Sequence, residues 1–160
     1  MIHIDYSHIF QNIPPELATF LIAMVPVSEL RAALPIGIKL YHLSAYSAWF
    51  WAVLGNLVPM LLILLILQPV ADFLSRHFKI FHKFFEWLFE HTRKRGRAKF
   101  EKWGEFAVFV LTATPIPLLG GWTGPLAAFV FGVKLKKSIP LVTLGCMTAG
   151  VIVAVITIWM

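Results

Sequence analysis

Residues 14–40 read PPELATFLIAMVPVSELRAALPIGIKL, and the prolines and the charged pair inside this apolar stretch decide how the chain is built. Pro14 and Pro15 suit a helix start, where the first amides have no intrahelical partner, and Glu16 in the first turn complements the positive end of the helix dipole. Pro26 ends that helix, Ser28 and Glu29 can open a second, and Pro35 with Gly37 disturbs the second in turn. Neither half reaches the roughly 20 residues needed to cross a hydrocarbon core about 30 Å thick. Residues 105–133, EFAVFVLTATPIPLLGGWTGPLAAFVFGV, have the same character. Pro115 and Pro117 end one half-helix, Gly120 and Gly121 turn the chain, and Thr123 to Pro125 can start another.

Each broken stretch is followed by an unbroken one. No charged residue occurs from Ser44 to Ala71 or from Ser138 to Met160, so two complete membrane spans are expected. Composition agrees: 59% of residues are hydrophobic and 14% charged, with a mean hydropathy of +0.78, against about 25% charged in soluble domains. Irregular backbone is not tolerated against lipid, because each unsatisfied amide costs several kcal/mol there. The two broken stretches must therefore satisfy each other or line a cavity, and both are read as re-entrant helical hairpins.

An internal repeat underlies this order. At an offset of 90 residues Pro35 matches Pro125 and Gly55 matches Gly145, and the breaks at Pro26 and Pro115–Pro117 fall nearly in phase. A unit with an odd number of crossings inserts its second copy upside down, and discontinuous helices at matching positions point to a transporter site near the midplane. The expectation is an all-α integral membrane protein, one membrane domain over residues 1–160. It has two inverted-topology repeats, each a re-entrant hairpin followed by one transmembrane helix. Repeat 1 covers 13–74 (hairpin 14–40, span 44–71) and repeat 2 covers 105–160 (hairpin 105–133, span 138–160). A basic amphipathic helix over 75–104 joins them at the membrane interface.

Nine of the fourteen Lys and Arg residues lie between Arg76 and Lys102, and Lys134, Lys136 and Lys137 form a second cluster. The positive-inside rule places both segments in the cytoplasm and both termini outside, in a multi-pass protein of the cell's inner (plasma) membrane. From Arg76 to His91, Phe78, Phe81, Phe85, Leu88 and Phe89 recur at helical spacing among charges, the pattern of a helix lying in the headgroup region. Next to two spans, the basic run is a topology signal that touches anionic lipid, and nucleic acid is excluded as a partner. The N-terminus lacks a signal-peptide pattern.

Glu29 and Arg31 are the residues most costly to place in a membrane, since Arg at bilayer depth costs about 2.5–3.5 kcal/mol on insertion scales. In one reading Arg31 snorkels and pairs with Glu29. In the other, Arg31 binds an anionic group while Glu29 takes and releases a proton or sodium ion. Residues two apart on a helix do not face each other, which favours separate partners. The amides after Ser28 and Thr123 suit an anion, with Gly121, Trp122 and Thr123 supplying a turn, an apolar wall and a hydroxyl; Trp122 serves equally as a packing aromatic. Asn56 is better placed to bond a hairpin carbonyl than a substrate. Asp72 is structural, His42 interfacial and Cys146 a packing residue. No catalytic set, no metal-ligand spacing and no cofactor motif is present, so no enzyme is expected.

The stretches AMVPVSELRAALPIG (23–37), GNLVP (55–59) and PIPLLGGWTG (115–124) resemble the small multi-drug export protein family of bacteria and archaea. The resemblance carries Pro26, Glu29, Arg31, Pro35 and Gly37 in the first hairpin, and Pro115, Pro117, Gly121, Trp122, Thr123 and Gly124 in the second. The architecture is also similar to the DedA superfamily, which implies paired hairpins with membrane Glu and Arg and the flipping of lipid-linked phosphates such as undecaprenyl phosphate. Three functions follow as expectations: an ion-coupled transporter or flippase for an amphipathic anion, an exporter of hydrophobic cations, or a non-transporting scaffold. Two hairpins cover few of their own polar groups, so a homodimer is expected.

Overall fold

The computed structural model describes residues 13–26, 28–78, 80, 82, 83, 97–114 and 122–160, with 97–103 described by backbone alone. Every regular element among them is helical: α1 Pro15–Met24, α2 Glu29–Pro35 with a π-helical turn Ile36–Leu40, α3 Ala45–His77, α4 Arg97–Ala113, α5 Thr123–Val130 and α6 Leu135–Trp159. The described residues of 1–56 with 150–160 form one compact unit, and the described residues of 57–149 form another. Most of the amphipathic pattern expected from Arg76 to His91 lies outside the described residues, as do Pro115, Pro117, Gly120 and Gly121.

In the first unit, α1 and α2 pack together around the turn that Pro26 imposes. Val25, the residue before that proline, is extended at φ −74° and ψ 128°, the conformation that the proline ring demands of its predecessor. Pro35 departs from the expected break. The chain stays helical through it and widens, with the Tyr41 amide donating to the Ile36 carbonyl at 3.0 Å. Pro35 is thus the last residue of the α-helical part, and the π-helical turn follows it without a stop.

Small residues set the packing. Ala18, Thr19, Ile22 and Ala23 on α1 and Ala48, Ala52, Val53 and Asn56 on α3 are buried, one stripe on each helix. Gly55 sits directly on the Phe20 carbonyl and beside Ala23. Phe20 also meets Trp51 edge-on at 6.4 Å. Gly150 of α6 approaches the Trp49 ring closely as well. In the second unit, Gly145 of α6 sits on the Phe109 carbonyl and Thr112, and Gly124 of α5 sits on the Thr112 hydroxyl. That hydroxyl is satisfied by donating to the Val108 carbonyl at 2.7 Å. Without a hydrophobic drive between helices in lipid, such backbone-close contacts supply the attraction.

The two long helices are 33 and 25 residues and carry apolar windows of mean hydropathy 2.5 and 2.4. Only 33% and 44% of those windows are buried, whereas the core helix of a soluble protein would be mostly covered. Leu62, Leu65, Ile66, Val70 and Phe73 on α3 and Val151, Val155, Ile156 and Ile158 on α6 are exposed, a surface suited to lipid and costly in water.

The helix ends differ from the expected span bounds. The Ser44 hydroxyl accepts the Ser47 amide at 3.2 Å and caps α3. At its other end, α3 continues past Ala71 to His77, because Asp72 ends the apolar run without interrupting the backbone bonds. Arg76 and His77 in the last turn complement the helix dipole. α6 starts at Leu135, not Ser138. The Ser138 hydroxyl lies within the first turn and donates to Val133 and Lys134 carbonyls at 3.1 and 3.2 Å. Lys137 stands at the unfavourable end of that helix dipole and is paired with Glu105 at 2.6 Å. α4 begins at Arg97, so the expected hairpin bound at Glu105 falls inside a continuous helix.

Candidate functional site

Glu29 opens α2 in left-handed backbone, with φ at +47°. For a residue with a Cβ this costs roughly 1–2 kcal/mol, and such strain persists only where the surroundings fix it. The Glu29 side chain is 7% exposed and its Oε2 lies 3.7 Å from Arg31 Nη2, whose side chain is 19% exposed. The two side chains therefore meet, as in the first of the two readings. Two residues apart on a regular helix would diverge, but the left-handed turn at Glu29 takes its carboxylate off the helical pattern and toward the guanidinium.

Ser28 is buried beside them and occupies the N-cap in helical geometry without a side-chain capping bond. The first amide of α2 is also not offered to an anion, as expected of the segment after Ser28. It donates to the Val25 carbonyl at 2.8 Å, closing the turn around Pro26. What this corner presents is a carboxylate and a guanidinium in contact, both largely withdrawn from solvent. With the carboxylate ionised the two charges offset each other; with it protonated that mutual offset is lost. Gly37, placed by the π-helical turn, lets that turn approach Thr19 of α1 and Ala48 of α3. At the end of the turn, burial pushes the Tyr41 phenol above its usual range.

Trp122 and Thr123 belong to the second unit, Trp122 as N-cap and Thr123 as first residue of α5. Both are half-buried, and Gly124 and Pro125 behind them are buried. Gly121 lies outside the described residues. Asn56 is buried at 4% exposure on the packed stripe of α3, Asp72 accepts from the Gln68 amide at 3.4 Å, and Cys146 is a free, buried thiol. Among the described residues no group of three or more His, Cys, Asp or Glu side chains could hold a metal ion.

A family profile, described as Putative small multi-drug export protein, matches residues 29–152. The chain belongs to this family. The matched span opens at Glu29 and takes in Arg31, the π-helical turn, both long helices up to residue 152, and the Gly145 contact. No curated protein and no solved structure gives a significant match. With the family and the two exposed apolar helices together, the protein is a membrane protein.

Sequence reasoning missed Thr112, the buried residue on which Gly124 and Gly145 both rest. A faint signal is present: FLIAMVP (20–26) and FVLTATP (109–115) share their first Phe and last Pro, which sets Thr112 opposite Ala23. The sequence reading took Lys134 only as part of a basic cluster and not as lining a cleft, because the other lining residues at 64–69 are far from it in the chain.

Proposed function

We propose that the protein is a multi-pass transporter of the inner membrane that moves an amphipathic anion, with a phosphate-bearing lipid as the substrate class. The observation that carries this is the Glu29–Arg31 pair, withdrawn from solvent at 3.7 Å in a segment too short to cross a bilayer. Ionisable residues at membrane depth are costly and mark substrate or ion pathways. Protonation of Glu29 would withdraw its charge from beside Arg31 and favour an anionic headgroup there, and departure of the proton would restore the pair and favour release of the anion. Glu29 would thereby couple transport to protons, or to sodium in the same position. Trp122 and Thr123 would line the matching break in the second half.

The family's printed name favours transport of small compounds. The carriage of Gly55 on Phe20 and of Gly145 on Phe109, in stretches that align, supports two copies of one unit. Two copies, each a re-entrant hairpin followed by one span, would be inverted relative to each other, and rocking of one against the other would alternate access. Basic residues 76–102 and Lys134–Lys137 in the cytoplasm and both termini outside complete the topology, and pairing into a homodimer would cover the hairpins.

A second reading, export of hydrophobic cations, is favoured by the family name and by the burial of Glu29, with Arg31 then a structural partner. Proteoliposomes separate the two. Flipping of a short-chain fluorescent polyprenyl phosphate, lost in a folded Arg31→Ala protein, supports the anion site. Dye-cation transport that survives Arg31→Ala and fails in Glu29→Gln supports the exporter. If neither solute moves in the wild type, a scaffold takes the place of both.

A further inference from the structure

We propose that a cleft between the second half of α3 and the junction of α5 with α6 is a binding site for an anionic phospholipid, an acyl chain lying along its walls and the phosphate on Lys134. The cleft has a volume of about 370 Å³, inside the range of about 300–1,000 Å³ typical of small-molecule sites. Leu64, Leu65, Pro69, Phe129 and Leu135 form apolar walls, and Gln68 and Lys134 supply polar groups. This combination, apolar along its length and cationic at one point, matches an amphiphile and not a free anion.

Charge complementarity selects the headgroup. Lys134 lines the cleft and is exposed, and Lys136 is exposed two residues further on. Lys137 is engaged by Glu105 at 2.6 Å and contributes little. The nearest acid on α3, Asp72, already accepts from the Gln68 amide. Ser138 lines the cleft too, but its hydroxyl is committed to the Val133 and Lys134 carbonyls, so recognition falls to Lys134 with the Gln68 amide beside it. Basic pockets between membrane helices at the headgroup level are suited to anionic lipids.

The walls also say where the ligand comes from. Leu65 is 52% and Leu135 42% exposed, so the cleft is continuous with the apolar surface that α3 and α6 turn to lipid. A chain can enter sideways from the bilayer without crossing water. The inference rests on membrane placement and not on transport, so a protein that moves no solute would still bind the lipid.

Native mass spectrometry of the full chain in detergent, titrated with phosphatidylglycerol or phosphatidylcholine of the same acyl chains, tests the site. Phosphatidylglycerol adducts should persist at collision energies that strip phosphatidylcholine. Lys134→Gln should weaken phosphatidylglycerol about fivefold, the effect of one basic residue at a lipid surface, and leave phosphatidylcholine unchanged. Leu65→Trp, at an exposed position, should fill the cleft and weaken both lipids. Gln68→Glu should weaken phosphatidylglycerol alone. Equal retention of the two lipids by the wild type, wild-type binding in Lys134→Gln and Gln68→Glu, or displacement of phosphatidylglycerol by inorganic phosphate would each overturn the proposal.

Discussion

Replacing Gly55 by alanine drives a methyl group into the backbone carbonyl of Phe20. The added Cβ would also lie 2.9 Å from the Phe20 carbonyl carbon and 3.0 Å from the Ala23 Cβ, closer than side-chain carbons tolerate. Neither obstacle is the end of a flexible side chain, so α1 and α3 must separate along the stripe that holds them together. Overpacking of this kind costs about 1–3 kcal/mol, and a backbone obstacle puts it at the upper end. Alanine is a better helix former than glycine by about 1 kcal/mol, which offsets part of the cost. The net loss is about 2 kcal/mol, or about 4–8 °C in apparent Tm for a chain of this size. The comparison is Gly37→Ala, whose Cβ would meet Thr19 Oγ1 at 3.0 Å and Ala48 Cβ at 3.2 Å. None of these is a backbone atom and none is as close as the Phe20 carbonyl, so its shift should be smaller than that of Gly55→Ala. Thermal unfolding in detergent, followed by gel-filtration recovery of the monodisperse peak, measures both. A Gly55→Ala protein as stable as wild type, or a Gly37→Ala protein that falls further than Gly55→Ala, refutes the reasoning that backbone contact at Gly55 holds the first unit together.

Removing Arg31 alone leaves the Glu29 carboxylate buried without its ion pair, so Arg31→Met should destabilise by about 3 kcal/mol or more. The double variant Glu29→Gln/Arg31→Met should recover much of that loss in the same melting assay, and a double variant no better than the single would sink the pairing. Ser44→Ala removes the cap on α3 and should cost about 1 kcal/mol, lowering the melting temperature, whereas Ser44→Asp should not. Lys137→Ala breaks a pair whose side chains are 58% and 42% exposed. Its effect should stay under about 1 kcal/mol, and a drop beyond that would mean the first turn of α6 depends on Glu105 more than its exposure implies.

How much of this was legible beforehand depends on range. The prolines were read well where their effect is local: Pro26 ends α1 because its predecessor is forced extended, and Ser28 and Glu29 stand at the start of α2. The two long apolar helices were legible because a run without charge needs no partner to be recognised. Their ends were not, since hydropathy marks where the apolar surface stops and α3 keeps its backbone bonds for six residues past Ala71. Pro35 was read as a break, but the cost of a proline in a helix has two outlets, stopping and widening, and only the tertiary contacts of Gly37 choose between them. The Glu29–Arg31 pair was one of two readings and was ranked second for the same kind of reason. Spacing along an ideal helix predicts divergence, and a positive φ at one glutamate is invisible to any rule of spacing. The contact of Gly145 with Thr112 was not legible, because Thr112 stands at none of the positions that match between the two halves.

The π-helical turn at Ile36–Leu40 holds one residue more than an ordinary turn of the same rise. A relative with one residue fewer in this interval would close it into a plain α-turn and keep everything from Ser44 onward in place, losing only the wide corner beside Thr19. Insertions and deletions in the family should therefore accumulate at this corner without moving either span. A gap of one between relatives here would mark not a shortened loop but a helix that has changed its winding.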